Sequence, residues 1–201
     1  MADANPLSTG ALPCAWAPAD DALYRHYHDH EWGVVERDNR ALFEKLILDG
    51  FQAGLSWRTI LYKRDAFRTA FDGFEPEKIA RYSDKKVSKL LQNAGIIRSE
   101  LKIRATIGNA QAWLTIMEEG PVDFSDFLWG FVDGRPQVNQ WENFRDAPTK
   151  SPESEALSKA LKKAGFKFCG PVIVYAFMQA VGMINDHEVS CPRHKAVQAT
   201  G

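Results

Sequence analysis

Cysteine and histidine are the residues of this chain whose types and spacing most directly invite chemistry. Cys14 and His28 lie near the start, and His187 and Cys191 lie near the end as a His-x3-Cys pair. Thiolate and neutral imidazole are preferred zinc ligands, and four of them close a tetrahedral site with no position left for water. Such a site is structural: one zinc ion would tie the two ends of the chain together. Spacing alone leaves alternatives open. His26, His30 and His194 compete for the imidazole roles, and the two cysteines could be idle thiols. Cys169, between Phe168 and Gly170, reads as a buried thiol.

A second group is aromatic. Trp16, Tyr24, Tyr27, Trp32 and Trp57 bracket the first pair of ligands and the two segments that follow. They could simply be core. They could also build a slot for a flat, electron-poor ring, because aromatic faces attract a cation by roughly 0.5–2 kcal/mol per contact. A buried carboxylate would add a charge-assisted hydrogen bond. Asp49, just before Gly50, is one candidate and Glu31 another.

The elements that must position these side chains read helix after helix, with almost no alternation of period two. Asp38 can cap a helix carrying Leu42, Phe43, Leu46 and Ile47, ended by Gly50. Ser56 can cap the next, with Trp57, Ile60, Leu61, Phe67 and Phe71 on one stripe. Pro76 suits a first helical turn. Ser125 is expected to start a short aromatic helix, and Ser151-Pro152 another that ends at Gly165. Gly170-Pro171 opens a run through Ala180 that is apolar on all sides and belongs in the middle of a fold, with Tyr175 and Met178 as core.

One pair of helices is more specific. Ser83 can cap a short helix with Val87, Leu90 and Leu91 inward, stopped by Gly95. After Gly95-Ile96-Ile97-Arg98, Ser99 can cap a helix striped by Ile103, Ile107, Ala110 and Leu114. Two helices joined by a tight glycine turn make a helix-hairpin-helix candidate over residues 84–117. It could offer free backbone N–H groups to a phosphate, with Arg98, Lys102 and Arg104 around that point. An ordinary helical hairpin with solvated charges would look the same.

Composition sets outer bounds. A length of 201 residues suits one domain, or one with a small appendage. A net charge of −1 excludes a polycation, so affinity for nucleic acid must come from a local basic face. The first thirteen residues lack a basic start and an apolar run, and read as a short disordered leader. The apolar run at Pro171 is too short to span a bilayer, so no membrane association is expected. Three widely separated cysteines argue for a reducing compartment, the cytoplasm.

Five stretches carry a resemblance. Tyr27-His28-Asp29-His30-Glu31-Trp32-Gly33, Gly50-Phe51-Gln52-Ala53-Gly54-Leu55-Ser56-Trp57, Ala94-Gly95-Ile96-Ile97-Arg98, Gly165-Phe166-Lys167-Phe168 and Asn185-Asp186-His187 occur in order. From about Cys14 to Cys191 the chain resembles the bacterial 3-methyladenine DNA glycosylase I family. The resemblance implies an all-α fold of the helix-hairpin-helix glycosylase superfamily, as a domain over residues 14–192 with a short tail at 193–201. It implies zinc on Cys14, His28, His187 and Cys191. It implies a pocket for the alkylated base at Tyr27, Trp32 and Trp57, with Trp16 and Tyr24 as further walls. Gly54 and Leu55 match the loop that fills the gap left by the flipped base, and Gly95, Ile96, Ile97 and Arg98, with Lys102 nearby, match the phosphate-gripping hairpin.

The implied activity is monofunctional hydrolysis of the N-glycosidic bond of alkylated adenine, chiefly 3-methyladenine, by a monomer acting on double-stranded DNA. The cationic base is already a good leaving group, so no strong nucleophile is needed. The family's base-reading carboxylate is usually Glu, and the matching position here is Asp49, shorter by one methylene. The family also usually lacks the catalytic Asp of its superfamily, so no conventional general base is assigned. A zinc-stabilised protein that binds alkylated DNA without excising the base is the alternative, kept open by Asp49.

Overall fold

The computed structural model describes residues 13–199, and its chain divides into two compact units. The leader expected over residues 1–13 lies, apart from Pro13, outside the described residues. The first unit gathers three stretches: the chain up to Val35, Arg135–Pro148, and the chain from Met178 onward. The second unit holds Glu36–Gly134 and Thr149–Phe177. No helix among the described residues is long and apolar enough to cross a membrane.

The first unit carries α1 (Ala22–His30), two short strands and α10 (Pro192–Ala196). Asp21 caps α1 by accepting from the Tyr24 N–H. The strands β1 (Gln137–Val138) and β2 (Ile184–Asn185) pair in parallel, Gln137 opposite Ile184 and Val138 opposite Asn185. This two-residue ladder departs from the purely helical expectation. It is too short to leave a readable alternation, and it exists only because residues far apart in the chain meet. The expected tail is also structured: α10 continues into a 3-10 turn at Val197–Ala199, and His194 and Val197 are buried.

The second unit is built from α2 (Asn39–Gln52), α3 (Trp57–Ala70), α4 (Pro76–Ile79), α5 (Asp84–Gln92), α6 (Glu100–Glu119), α7 (Phe124–Trp129), α8 (Pro152–Lys163) and most of α9 (Pro171–Ala180). Asp38, Ser56, Ser83, Ser99 and Ser151 cap α2, α3, α5, α6 and α8 as their side-chain oxygens predict. Ser151 and Ser154 also close a reciprocal capping box. Its core joins Leu42, Phe43, Leu46, Ile60, Ile79, Leu128 and Leu161, all almost fully buried, each worth about 1.5–3 kcal/mol on removal from water. A ladder of rings, Phe51–Phe67–Phe71–Phe74, runs through it with centroids 4.7, 6.0 and 5.7 Å apart.

Several boundaries differ from the sequence reading. Gly50 does not end α2, which runs on to Gln52. A Cβ at Gly50 would stand 3.2 Å from Phe168 Cβ, so the glycine serves a close packing contact and not a stop. α5 ends at Gln92, before Gly95, and Asp123 rather than Ser125 caps α7. On α6, Ile107 and Leu114 are only half-buried, while Ala105, Thr106, Asn109, Ala112 and Trp113 are buried too. The helix is covered over a wider arc than one stripe. In α9, Tyr175 and Met178 are core as expected, but Val172 in the first turn is 51% exposed.

Candidate functional site

In the first unit, Cys14, His28, His187 and Cys191 come together fully buried, their ligand atoms all within 4.8 Å of one another. Cys14 Sγ lies 3.4 Å from His187 Nδ1, and Cys191 Sγ lies 3.7 Å from His28 Nε2 and 3.8 Å from His187 Nδ1. Tetrahedral zinc bonds of ordinary length would set sulfur–nitrogen edges of about 3.6 Å, so the donor set fits zinc. The rival imidazoles are elsewhere. His26 and His30 are exposed on α1, their rings 4.6 Å apart. His194 Nε2 faces the Asn139 carbonyl at 2.8 Å.

The outer contacts of this cluster are built as well. His28 presents Nε2 inward because Nδ1 is held by Asp29 Oδ1 at 2.7 Å, and Arg25 Nε in turn donates to Asp29 Oδ2 at 2.8 Å. His187 presents Nδ1 inward because Nε2 meets the Trp32 carbonyl at 3.1 Å. Such partners fix the tautomer and aim of a metal-binding imidazole. Gly33, at φ +82°, is required here: a Cβ would fall 2.9 Å from His187 Nε2. Burial lowers the proton affinity of His187, which favours the neutral ring a metal needs. Cys14 is pushed up, first by its hydrogen bond with Cys191 and then by burial. That same bond, with His187 and His28 behind it, draws Cys191 down.

Asp29, Asp186 and Glu188 are residues of this unit that the sequence reading left without a role. Asp186 is fully buried and accepts from Asn139 Nδ2 at 2.6 Å, Trp141 Nε1 at 2.7 Å and Gln179 Nε2 at 2.7 Å. Glu188 accepts from the Ala15 N–H at 3.2 Å and the Phe144 N–H at 2.8 Å. Both flank His187 and fasten the segment that carries it. The only advance signal was a run of acidic and amide residues around a ligand histidine.

The aromatic residues of the first unit pack against one another, Trp16 edge to face with both Trp32 and Tyr24. Trp16 stands 4.8 Å from Trp32 and 5.8 Å from Tyr24, and Tyr24 lies 6.4 Å from Tyr27. Trp16 and Trp32 also lean on the ligands, Trp16 at 5.1 Å from His28 and Trp32 at 4.5 Å from His187. These two indoles thus serve as walls of the cysteine–histidine cluster, a role that residue types alone did not disclose. Trp16 Nε1 is buried with no hydrogen-bond partner among the described residues.

In the second unit, Asp49 and Trp57 come from the end of α2 and the start of α3. Asp49 is 1% exposed. Its Oδ1 accepts from Lys45 Nζ at 2.5 Å, and its Oδ2 has no partner among the described residues. Burial raises the affinity of this carboxyl for a proton, and Lys45 pulls it back. Lys45 Nζ also lies 4.1 Å from the centre of the Trp57 ring. Lys45 was not singled out from sequence, because an i, i+4 Lys–Asp pair is commonplace on a solvated helix face. Between the two helices Gly54 adopts φ +82°, and Leu55 beside it is 42% exposed, an apolar side chain standing in solvent.

The α5–α6 pair places its basic residues unevenly. Ile96 is buried, Ile97 half-buried and Arg98 exposed with no partner among the described residues. The Gly95 N–H donates to Asn93 Oδ1 at 2.8 Å, and Lys63 Nζ holds the Ala94 carbonyl at 3.0 Å. Arg104 is engaged by Glu100 and Asp84, both at 2.8 Å. Lys102 Nζ donates to the carbonyls of Phe51 at 2.8 Å and Ala53 at 2.7 Å. It closes the C-terminal end of α2, a function that sequence spacing could not reveal.

A family model described as methyladenine glycosylase matches residues 16–194. The chain is 52% identical to DNA-3-methyladenine glycosylase 1 of Escherichia coli (strain K12) over 178 residues, 89% of this chain and 94% of that one. A crystal structure of 3-methyladenine DNA glycosylase I superposes with a TM-score of 0.87 at 52% identity, covering 90% of this chain and 98% of the other. A crystal structure of a single-residue variant of 3-methyladenine DNA glycosylase I in complex with 3-methyladenine gives 0.85 at 40% identity, covering 89% and 95%.

Proposed function

The chain belongs to the methyladenine glycosylase family, and we infer that it is a monofunctional DNA glycosylase of base-excision repair. It hydrolyses the N-glycosidic bond of alkylated adenine in DNA, chiefly 3-methyladenine. The bond between the sugar and the base breaks with its electron pair going to the base. Water adds to the sugar carbon and loses a proton to solvent, leaving free base and an abasic site. A cationic base departs neutral, so the protein's work is to extract it, hold it and favour the charge that develops on the sugar.

The observation that carries this reading is Asp49. It is a carboxylate closed off from water with one oxygen left bare, in a chain matched to the family over residues 16–194. Asp49 supplies the anion that reads the base, with Trp57 as an aromatic face. Tyr27, Trp32, Trp16 and Tyr24 are assigned to the base on the family resemblance. Leu55, exposed beside Gly54, fills the gap left in the duplex. The turn at Gly95, Ile96 and Ile97 between α5 and α6 acts as the helix-hairpin-helix phosphate grip, with Arg98 the cation left unpaired to meet the backbone.

Cys14, His28, His187 and Cys191 hold one zinc ion, a structural cofactor whose bonding supplies folding free energy. Buried thiols with no disulfide fit the reducing interior of a cell, and the enzyme acts in the cytoplasm as a monomer on double-stranded DNA. The deciding experiment is single-turnover release of free base from methylated duplex DNA. Release far above the uncatalysed rate is expected. Damage-selective binding with no release would overturn the reading.

A further inference from the structure

Lys45 and Asp49 lie one turn apart on α2. The Lys45 ammonium is 2.5 Å from Asp49 Oδ1 and 4.1 Å from the centre of the Trp57 ring. It is held as a cationic guest would be, by an anion on one side and an aromatic face on the other. These are the two features of the second unit to which the glycosylase reading assigns the charged base. The Lys45 side chain is 16% exposed and that of Asp49 1%, so solvent screens the pair weakly. Asp49 Oδ2 has no partner among the described residues, which leaves a base one acceptor. The charge of the carboxylate, however, is already matched.

We propose that Lys45 is a specificity-determining residue, whose ammonium takes the place of a cationic base at Asp49 and Trp57 and extends the substrate class to uncharged damaged purines. A cationic purine must displace this ammonium or lie beside it. Either way, the attraction of an unpaired carboxylate is offset. An uncharged purine meets no such repulsion. It also leaves with an electron pair that a neighbouring hydrogen-bond donor stabilises, and the ammonium is such a donor. The inference rests on the glycosylase reading for the identity of the guest.

The test separates charge from chemistry. Wild type, Lys45→Met, Lys45→Gln and Lys45→Arg are titrated with two probes, the 3,9-dimethyladeninium cation and uncharged 9-methyladenine, with tryptophan fluorescence as readout. The same proteins are assayed in single turnover on duplexes carrying 3-methyladenine or hypoxanthine. Removing the ammonium should tighten the cation about tenfold and the neutral probe less than about twofold, the scale of one partly screened charge contact. The excision ratio should move with it, and Lys45→Arg should keep the wild-type values. If Lys45→Met does not fold, Lys45→Gln carries the comparison. Equal shifts for both probes, or none, would overturn the proposal. Absence of base release by wild type would instead sink the glycosylase reading, while the probe ratio would still decide the role of Lys45.

Discussion

At the scale of single residues, the chemistry concentrates on a carboxylate placed where carboxylates are costly. Burial raises the pKa of Asp49 above the ordinary value near 3.9, so the folded protein holds this proton more tightly than the unfolded chain. Below the ordinary range both states are protonated and the group costs nothing. As pH rises through it, the unfolded chain releases the proton first and stability falls. Asp49→Asn should therefore gain on wild type in urea unfolding between about pH 4 and neutrality. A stability difference independent of pH would contradict the assignment. The same variant loses a charge-assisted hydrogen bond worth about 1.5–3 kcal/mol, so 3-methyladenine release should fall roughly 10- to 100-fold. Unchanged release would remove Asp49 from the site. The cysteine–histidine cluster was legible only in part: residue type singled out Cys14, His28, His187 and Cys191 but left His26, His30 and His194 as rivals, because which imidazole meets which thiol is decided by contacts between distant segments. Lys45 was not legible at all, since its meaning lies in a ring from the next helix.

At the scale of elements, legibility followed locality. The caps at Asp38, Ser56, Ser83, Ser99 and Ser151 depend on a side chain and its own next three residues, and each was read correctly. Gly50 was misread as a stop because its constraint comes from Phe168, more than a hundred positions away. Asn109 shows the same limit: it clamps both the N–H and the carbonyl of Lys167, at 2.8 and 3.1 Å, next to Phe168 at φ +56°. Lys102 gives this scale its test. It ties α6 to the end of α2, and the bonds replace water around a half-buried ammonium. Lys102→Met should lower unfolding stability by about 1–3 kcal/mol while leaving the salt dependence of DNA binding nearly unchanged. Arg98→Ala should do the reverse, reducing the slope of log affinity against log salt by about one with little effect on stability. Exchange of these two outcomes would reassign the phosphate contact to Lys102.

At the scale of the whole molecule, one cluster joins residues 173 positions apart, Cys14 and His187. Cys191→Ser should abolish stoichiometric zinc, measured by elemental analysis, and make the first unit sensitive to proteolysis. Full metal content in that variant would exclude the assigned ligand set. Chelation of the wild type should lower the thermal midpoint, and more readily at mildly acid pH, where protons compete for the thiolates. The division into two units was not legible, because the first is assembled from three separate stretches and leaves no composition boundary. That assembly has a consequence for biosynthesis. A ribosome delivers Glu36–Gly134 and Thr149–Phe177 while the partners of Cys14 and His28 are still untranslated. Until His187 and Cys191 emerge, Cys14 and His28 are half of the cluster, a thiol and an imidazole open to oxidation or to stray metals. The nascent chain must keep them reduced and unclaimed through most of its synthesis.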